Sequence, residues 1–302
     1  MPRLRSALGG GPRLLVKRDD AIPFAFGGNK VRKMRLVAAD ALSRQADTLI
    51  TCGGVQSNHA RVTAAAAAKL GLKCILVANG QRQERPTANA LLASLLGAEI
   101  RYVSTREARA QEMEAAAAEE RAAGRTPYVI PLGASTPLGA AAFAHAAVEL
   151  FEQIAPPDVI VHASSSGGTQ AGLVAGCVLA NVRTRVIGIS ADDSVATLTS
   201  GIRHLLSGLA ELVDPAGGPH ARALADATLE IDDGLVGDGY GVPTPASLEA
   251  ATLLARTEAL FLDQTYTAKA MAGLIARVRA GAFAVTDTVL FWHTGGQVGV
   301  FA

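Results

Sequence analysis

The sequence predicts an α/β fold on parallel sheets, and three observations carry that prediction. Short apolar runs of strand type alternate with single helices along most of the chain, which is the spacing of βαβ units. Glycine-rich turns close several of these strands and open the helices that follow. With 302 residues, 49% of them hydrophobic, and a mean hydropathy of +0.26, the chain can bury the core of two domains or of one large α/β unit.

Leu14-Leu15-Val16 is the first strand, running into Asp19-Asp20. Met34, Val37, Ala38 and Ala41 then recur at helical spacing, so a helix begins near residue 31 with Lys30 at its N-terminus. Thr48-Leu49-Ile50-Thr51 is a strand, followed by a turn at residues 56–59 and an alanine-rich helix stopped by Gly71. After a strand at 73–78, Pro86 and Gly97 bracket a helix in the order that places proline first and glycine last. A strand at 100–103, a charged surface helix at 107–123 closed by Gly124, and a strand at 128–130 complete the first half. The second half repeats the scheme with a helix over 137–153, a strand at 159–162, a serine-glycine turn, a helix from Ala171 and a strand at 185–189. A less regular helical stretch to Leu212, a loop at 214–218, the strand Thr228-Leu229-Glu230-Ile231, a glycine-rich loop to Pro245, two helices and a strand at 289–292 finish it.

Composition narrows the function. Net charge is +1 with no basic cluster, which gives no reason to expect nucleic acid or an anionic membrane as partner. No run approaches the roughly 18 apolar residues of a membrane span, and Met1-Pro2-Arg3-Leu4-Arg5 has no apolar segment behind it, so a cytoplasmic location is expected. Cys52, Cys74 and Cys177 lie in apolar surroundings and fit buried, reduced thiols. Six histidines show no metal-ligand spacing, so no metal site is expected.

Lysine is scarce, six residues against 22 arginines, and one of the six sits in Gly27-Gly28-Asn29-Lys30 at a helix start. The glycines allow close backbone approach, and the positive end of the helix lowers an ammonium pKa. Lysine can shed its proton and act as a nucleophile where arginine cannot, so Lys30 is a candidate for a Schiff-base amine. Alone, the segment equally fits a surface lysine after a glycine turn. Lys33, one turn on, shares its face and reads as a solvated or salt-bridged side chain. Ser166-Gly167-Gly168-Thr169 lies between strand and helix, where backbone amides and hydroxyls suit a phosphate, with Gln170 as an extra contact. It lacks the spacing of a nucleotide P-loop or of a dinucleotide fold. A flexible serine-glycine loop is the other reading of that stretch. Ser57 and Asn58 precede a helix and fit capping residues as well as ligand contacts.

Taken with Gly53-Gly54-Val55-Gln56-Ser57-Asn58-His59-Ala60-Arg61, these motifs resemble, in order, the fold-type II pyridoxal phosphate enzymes, in the family that holds 1-aminocyclopropane-1-carboxylate deaminase, D-cysteine desulfhydrase and L-cysteate sulfo-lyase. The likeness runs from about Leu14 to the C-terminus. It implies a tryptophan synthase β-like fold of two three-layer α/β domains with mostly parallel sheets, residues 1–42 and 139–302 forming the large domain and 43–138 the small one. The cofactor implied is pyridoxal 5'-phosphate on Lys30, with Ser166, Gly167, Gly168 and Thr169 at its phosphate and Asn58 at its ring hydroxyl. Ser57, Asn58, His59 and Tyr266 are the implied substrate contacts, and Lys30, Ser57, Tyr240 and Tyr266 the implied catalytic set.

In Leu262-Asp263-Gln264-Thr265-Tyr266-Thr267 the resemblance places Thr267 at the ring nitrogen, where the aminocyclopropane deaminases carry glutamate. Thr294 stands where they tend to carry leucine. A neutral hydroxyl there suits elimination of a good leaving group better than opening of a cyclopropane ring; Thr267 also fits a helix cap. The activity implied is β-elimination from a small amino acid, D-cysteine first, with the deaminase, the sulfo-lyase and a non-catalytic binder as alternatives. A homodimer is the family habit. The chain departs from the family at Met1-Pro2-Arg3, since relatives carry a proline-rich segment before that point.

Overall fold

The computed structural model describes all 302 residues. Its elements begin with α1 (Pro2–Ala7), β1 (Arg13–Arg18), α2 (Asn29–Ser43), β2 (Thr48–Gly54), α3 (Asn58–Leu70), β3 (Lys73–Asn79) and α4 (Ala88–Leu95). They continue with β4 (Glu99–Val103), α5 (Ala108–Ala122), β5 (Pro127–Ile130), α6 (Pro137–Gln153), β6 (Val159–Ser164), α7 (Gly168–Leu179) and β7 (Arg185–Ser190). The chain closes with α8 (Val195–Val213), α9 (Pro219–Ala225), β8 (Glu230–Asp232), α10 (Pro245–Glu258), α11 (Thr267–Arg279) and β9 (Thr288–His293).

The strands form two sheets, one in the order β1-β9-β6-β7-β8 and one in the order β4-β3-β2-β5. Every neighbouring pair is parallel. Parallel strands need crossover helices, and the helices bury both sheet faces. That is why β6 is buried along its whole length and reads as an apolar run without alternation.

One face of the five-stranded sheet packs on α1, α10 and α11 through Leu4, Leu254, Met271 and Phe291. The other packs on α6 to α9 through Phe143, Leu173, Leu205 and Trp292. On the four-stranded sheet, α2, α3 and α4 meet through Met34, Val37, Leu49, Val62 and Ala93, and α5 covers the opposite face through Ala116 and Ala117 against Ile50 and Ile75. The three cysteines are buried and unpaired. No helix is long and apolar enough to cross a membrane.

Several boundaries differ from the sequence reading. α4 starts at Ala88 behind an extended Thr87, so Pro86 lies before the helix instead of opening it. The eighth strand covers Glu230–Asp232 rather than residues 228–231. α9 has no counterpart in the sequence reading, because seven residues are too few for a helical period to register.

Candidate active site

A cavity of about 270 Å³ lies at the strand ends of both sheets, lined by Lys30, Ser57, Asn58, His59, Ser166, Gly167, Thr169, Tyr240, Tyr266 and Thr294, among others. Loops after β2, β6 and β7 reach it, as expected for ligand sites at the carboxyl ends of parallel strands. Lys30 stands half-buried in the first turn of α2. Burial lowers its amine to about 8. Asn29 fastens this turn to the rest of the site: its N–H donates to Thr294 O at 2.8 Å and its side-chain amide to Thr169 Oγ1 at 3.0 Å.

Gly167 caps α7 at φ +76°, a left-handed conformation that favours glycine. The first-turn amides of α7 have no intrahelical acceptor and form an anion cradle with the Ser166 and Thr169 hydroxyls. Ser135 Oγ donates to Ser166 Oγ at 2.7 Å and fixes that corner. Beneath the turn lies Lys33. It is fully buried, and its Nζ donates to Gly133 O at 3.1 Å and Ser135 Oγ at 3.4 Å, with no carboxylate partner. A Cβ added to Gly168 would stand 2.6 Å from that Nζ.

The expectation that Lys33 is solvated or salt-bridged is therefore corrected. The face it shares with Lys30 points into the protein, because the turn from α7 and the segment after β5 close over it. Burial, then the Lys30 charge, hold its pKa well below the usual lysine value. Gly168, Gln170 and Thr267, unlike the other expected contacts, are not among the lining residues. Gln170 is corrected too: its Nε2 donates to Glu230 O at 2.8 Å, so the side chain serves the sheet and not the anion turn.

On the opposite wall, Asn58 Oδ1 accepts from Asn89 Nδ2 at 2.9 Å and from Arg61 Nη1 at 3.3 Å. Both bonds fix the amide so that its own N–H donors remain for the cavity. Arg61 is buried without a carboxylate, its Nη2 donating to Gly27 O at 2.9 Å. Burial lowers its pKa to about 10. Ser57 is the N-cap of α3, accepting from Ala60 N at 3.2 Å, and lines the cavity as well.

His59 has a defined tautomer. Thr51 Oγ1 donates its only hydrogen to Ile130 O at 2.7 Å, so at 2.8 Å from His59 Nε2 it must accept. Nε2 therefore carries the hydrogen, and Nδ1 is a bare, buried acceptor with no partner in the protein. Burial first, then the charges of Lys30 and Lys33, hold the imidazole pKa well below its ordinary value.

Tyr240 and Tyr266 form the remaining wall. Their hydroxyls are hydrogen-bonded, and their rings pack edge to face with centroids 5.7 Å apart. Burial raises both pKa values, that of Tyr266 well above the usual phenol. Thr267 is fully buried at the start of α11. Its hydroxyl donates to Asp263 Oδ1 at 2.7 Å and accepts from Asp263 N at 3.0 Å. The hydroxyl hydrogen is thus committed to a carboxylate behind it, a partner the sequence reading did not include.

A nucleophilic amine of lowered pKa facing an anion cradle defines a site for a phosphorylated coenzyme that bears an aldehyde. The residues present fit such a group: the backbone turn with Lys33 beneath it for the phosphate, the free Asn58 donors for a ring oxygen, and Lys30 for the aldehyde carbon. The chain belongs to the pyridoxal-phosphate dependent enzyme family, which matches residues 1–295. It is 38% identical to a D-cysteine desulfhydrase of Klebsiella pneumoniae (strain 342), over 100% of this chain and 92% of that one. The crystal structure of an ACC deaminase homologue superposes with a TM-score of 0.89 at 35% identity, covering 100% of this chain and 89% of that one. A pyridoxal 5'-phosphate-dependent aspartate racemase shares the fold at 17% identity, with a TM-score of 0.71 over 99% of this chain and 89% of its own. The fold is accordingly that of a fold-type II pyridoxal phosphate enzyme, and the cofactor is pyridoxal 5'-phosphate.

Proposed function

We propose that the chain catalyses β-elimination from D-cysteine, releasing sulfide, with the remaining carbon skeleton and nitrogen leaving as pyruvate and ammonia after addition of water. The observation that carries the reading is Lys30, an amine held at about 8 inside the cavity that the anion turn also lines. The full-length likeness to a D-cysteine desulfhydrase supports the substrate. Ser166, Gly167, Thr169 and, from below, Lys33 would hold the phosphate; Gly168 contributes its backbone. Asn58 would donate to the ring oxygen. When bound, pyridoxal 5'-phosphate supplies the electron sink for the carbanion left by loss of the α-proton.

The chain's own residues do the rest. Lys30 takes the α-proton as a neutral amine, and Ser57 meets the substrate carboxylate next to the amide of Asn58. His59 offers Nδ1 to a substrate N–H. The paired hydroxyls of Tyr240 and Tyr266 face the leaving group and can pass it a proton. Thr267 would stand behind the coenzyme's ring nitrogen; it does not line the cavity, and with its hydrogen given to Asp263 its hydroxyl could meet that nitrogen only by accepting from a ring N–H. Thr294 closes the same end of the cavity. In this reading residues 43–138 form the small domain and 1–42 with 139–302 the large one, and the enzyme is a cytoplasmic homodimer.

A second reading, ring opening of 1-aminocyclopropane-1-carboxylate, is favoured by the 35% identity to an ACC deaminase homologue. Incubation with each compound decides between them. Sulfide and pyruvate in equal amounts from D-cysteine are expected; 2-oxobutanoate from the cyclopropane substrate with no sulfide from D-cysteine would overturn the elimination.

The Lys30 pKa also sets a pH dependence. Capture of the coenzyme aldehyde needs the neutral amine. With a pKa of about 8 that form makes up about a tenth of the total at pH 7. The rate at which apoprotein captures pyridoxal 5'-phosphate, followed by absorbance, should rise about tenfold per pH unit below 8 and level off above it. A rate still climbing steeply at pH 9 to 10 would mean an ordinary, solvated lysine.

A further inference from the structure

α11 carries a second buried lysine. Lys269 stands one turn after Tyr266, fully buried, and its Nζ donates to Val236 O at 2.7 Å, Gly239 O at 2.8 Å and Ala191 O at 3.3 Å. A neutral amine has two hydrogens; three carbonyls need the ammonium. No carboxylate hydrogen-bonds to it.

All three acceptors belong to segments that build one wall of the cavity. Ala191 follows β7 and precedes Asp192 and Asp193, which line the cavity. Val236 and Gly239 lie in the loop 233–244, which presents Tyr240. Apart from Lys269 and the Tyr240–Tyr266 hydroxyl pair, side-chain bonds hold that loop only near its ends: Asp233 Oδ2 accepts from Val195 N at 2.9 Å, Gly234 N donates to Asp232 Oδ1 at 2.8 Å, and Thr244 N donates to Ser247 Oγ at 2.9 Å. The loop contains no helix or strand, and Gly237, Gly239 and Gly241 adopt φ values of +64°, +128° and +78°. Its internal backbone bonds include only Val236 N to Asp233 O and Val242 N to Gly239 O, at 3.2 and 3.3 Å.

The start of α11 therefore grips Tyr240 at both ends. Tyr266 meets its hydroxyl, and Lys269 holds the carbonyl just before it. The Ala191 bond extends the grip to Asp192, which pairs with Arg106 at 2.6 Å, and the Arg106 guanidinium lies 5.0 Å from the centre of the Tyr240 ring.

We propose that Lys269 is a positioning residue, a built-in monovalent cation that gathers the loop 233–244 and the end of β7 onto α11 and so holds Tyr240 against the cavity. The kinetic part of its test rests on the lyase reading; the tether does not.

The test is Lys269→Ala in the holoenzyme, which leaves room for a small cation among the three carbonyls, with two readouts. Amide hydrogen exchange over residues 233–244 should quicken about tenfold or more, and kcat/KM should fall about tenfold to a hundredfold, as for loss of charge-assisted hydrogen bonds. Coenzyme absorbance should be retained. Ammonium or potassium chloride should restore both readouts in part, whereas tetramethylammonium, too large for the site, should restore neither. Unchanged exchange in the variant, or exchange and turnover that no small cation restores, would overturn the proposal.

If the wild type turns over none of the β-substituted amino acids, the lyase reading fails while the exchange measurement still decides on Lys269. If the variant does not accumulate folded, it is expressed and purified throughout in ammonium chloride. Folded protein recovered only with the cation supports the tether, and none recovered either way overturns it.

Discussion

Lys30→Ala is expected to abolish turnover, with a fall of roughly 10²- to 10⁴-fold from the lost proton transfer alone and a further loss from slower coenzyme capture. Reductive trapping of bound coenzyme followed by peptide mapping should label Lys30 in the wild type and no lysine in the variant. The nearest competitor is Lys33, one helical turn away. The pKa does not separate the two, because burial lowers both amines and the Lys30 charge adds to the effect at Lys33. Geometry decides. Lys30 lines the cavity, whereas the Lys33 amine is committed to Gly133 O and Ser135 Oγ beneath the anion turn. A low pKa without access makes no nucleophile. Label on Lys33 in the wild type, or turnover by Lys30→Ala within tenfold of normal, would refute this assignment.

The two lysines also mark how far the sequence could be read. Fold class followed from local signals: helix α6 could be bounded from Pro137 and the break after Gln153, and the helix α3 from Ser57 and Gly71. The glycine-rich turns pointed to the cavity that they line, because backbone approach and left-handed φ leave a mark on composition. What stayed hidden depends on partners distant in sequence. Lys33 meets Gly133 at a separation of 100 residues, and Trp292 Nε1 meets Asp19 at 273. The His59 tautomer needs Thr51 and Ile130, and the fixed amide of Asn58 needs Asn89 and Arg61. A helical period shows that residues 30 and 33 share a face; it does not show whether that face looks at water or at another element. Thr267 illustrates the same limit, since the resemblance named its hydroxyl for the ring nitrogen but could not show that it lies behind the cavity with its hydrogen given to Asp263.

The second large effect is expected at Lys33, with opposite signs for two properties. Lys33→Met removes an amine that burial makes costly to keep charged. It leaves Gly133 O without that donor, while Ser135 keeps its bond to Ser166. These changes oppose each other, so the apoprotein should melt within a few degrees of the wild type, at equal or higher temperature. Affinity for pyridoxal 5'-phosphate should fall about tenfold to a hundredfold, the value of one charge-assisted hydrogen bond. Affinity for pyridoxal, which has the aldehyde and no phosphate, should hardly change.

Protons give an independent check. A dianion bound above a lysine of depressed pKa raises that pKa, so binding of the phosphorylated coenzyme should draw a proton from solution. Calorimetry of that binding in buffers of different ionisation enthalpy should detect the uptake in the wild type and lose it in Lys33→Met. Affinity lost equally for both forms of the coenzyme, with proton uptake unchanged, would show that Lys33 merely fills space under the turn and that the phosphate is held by the backbone of residues 166–169 alone.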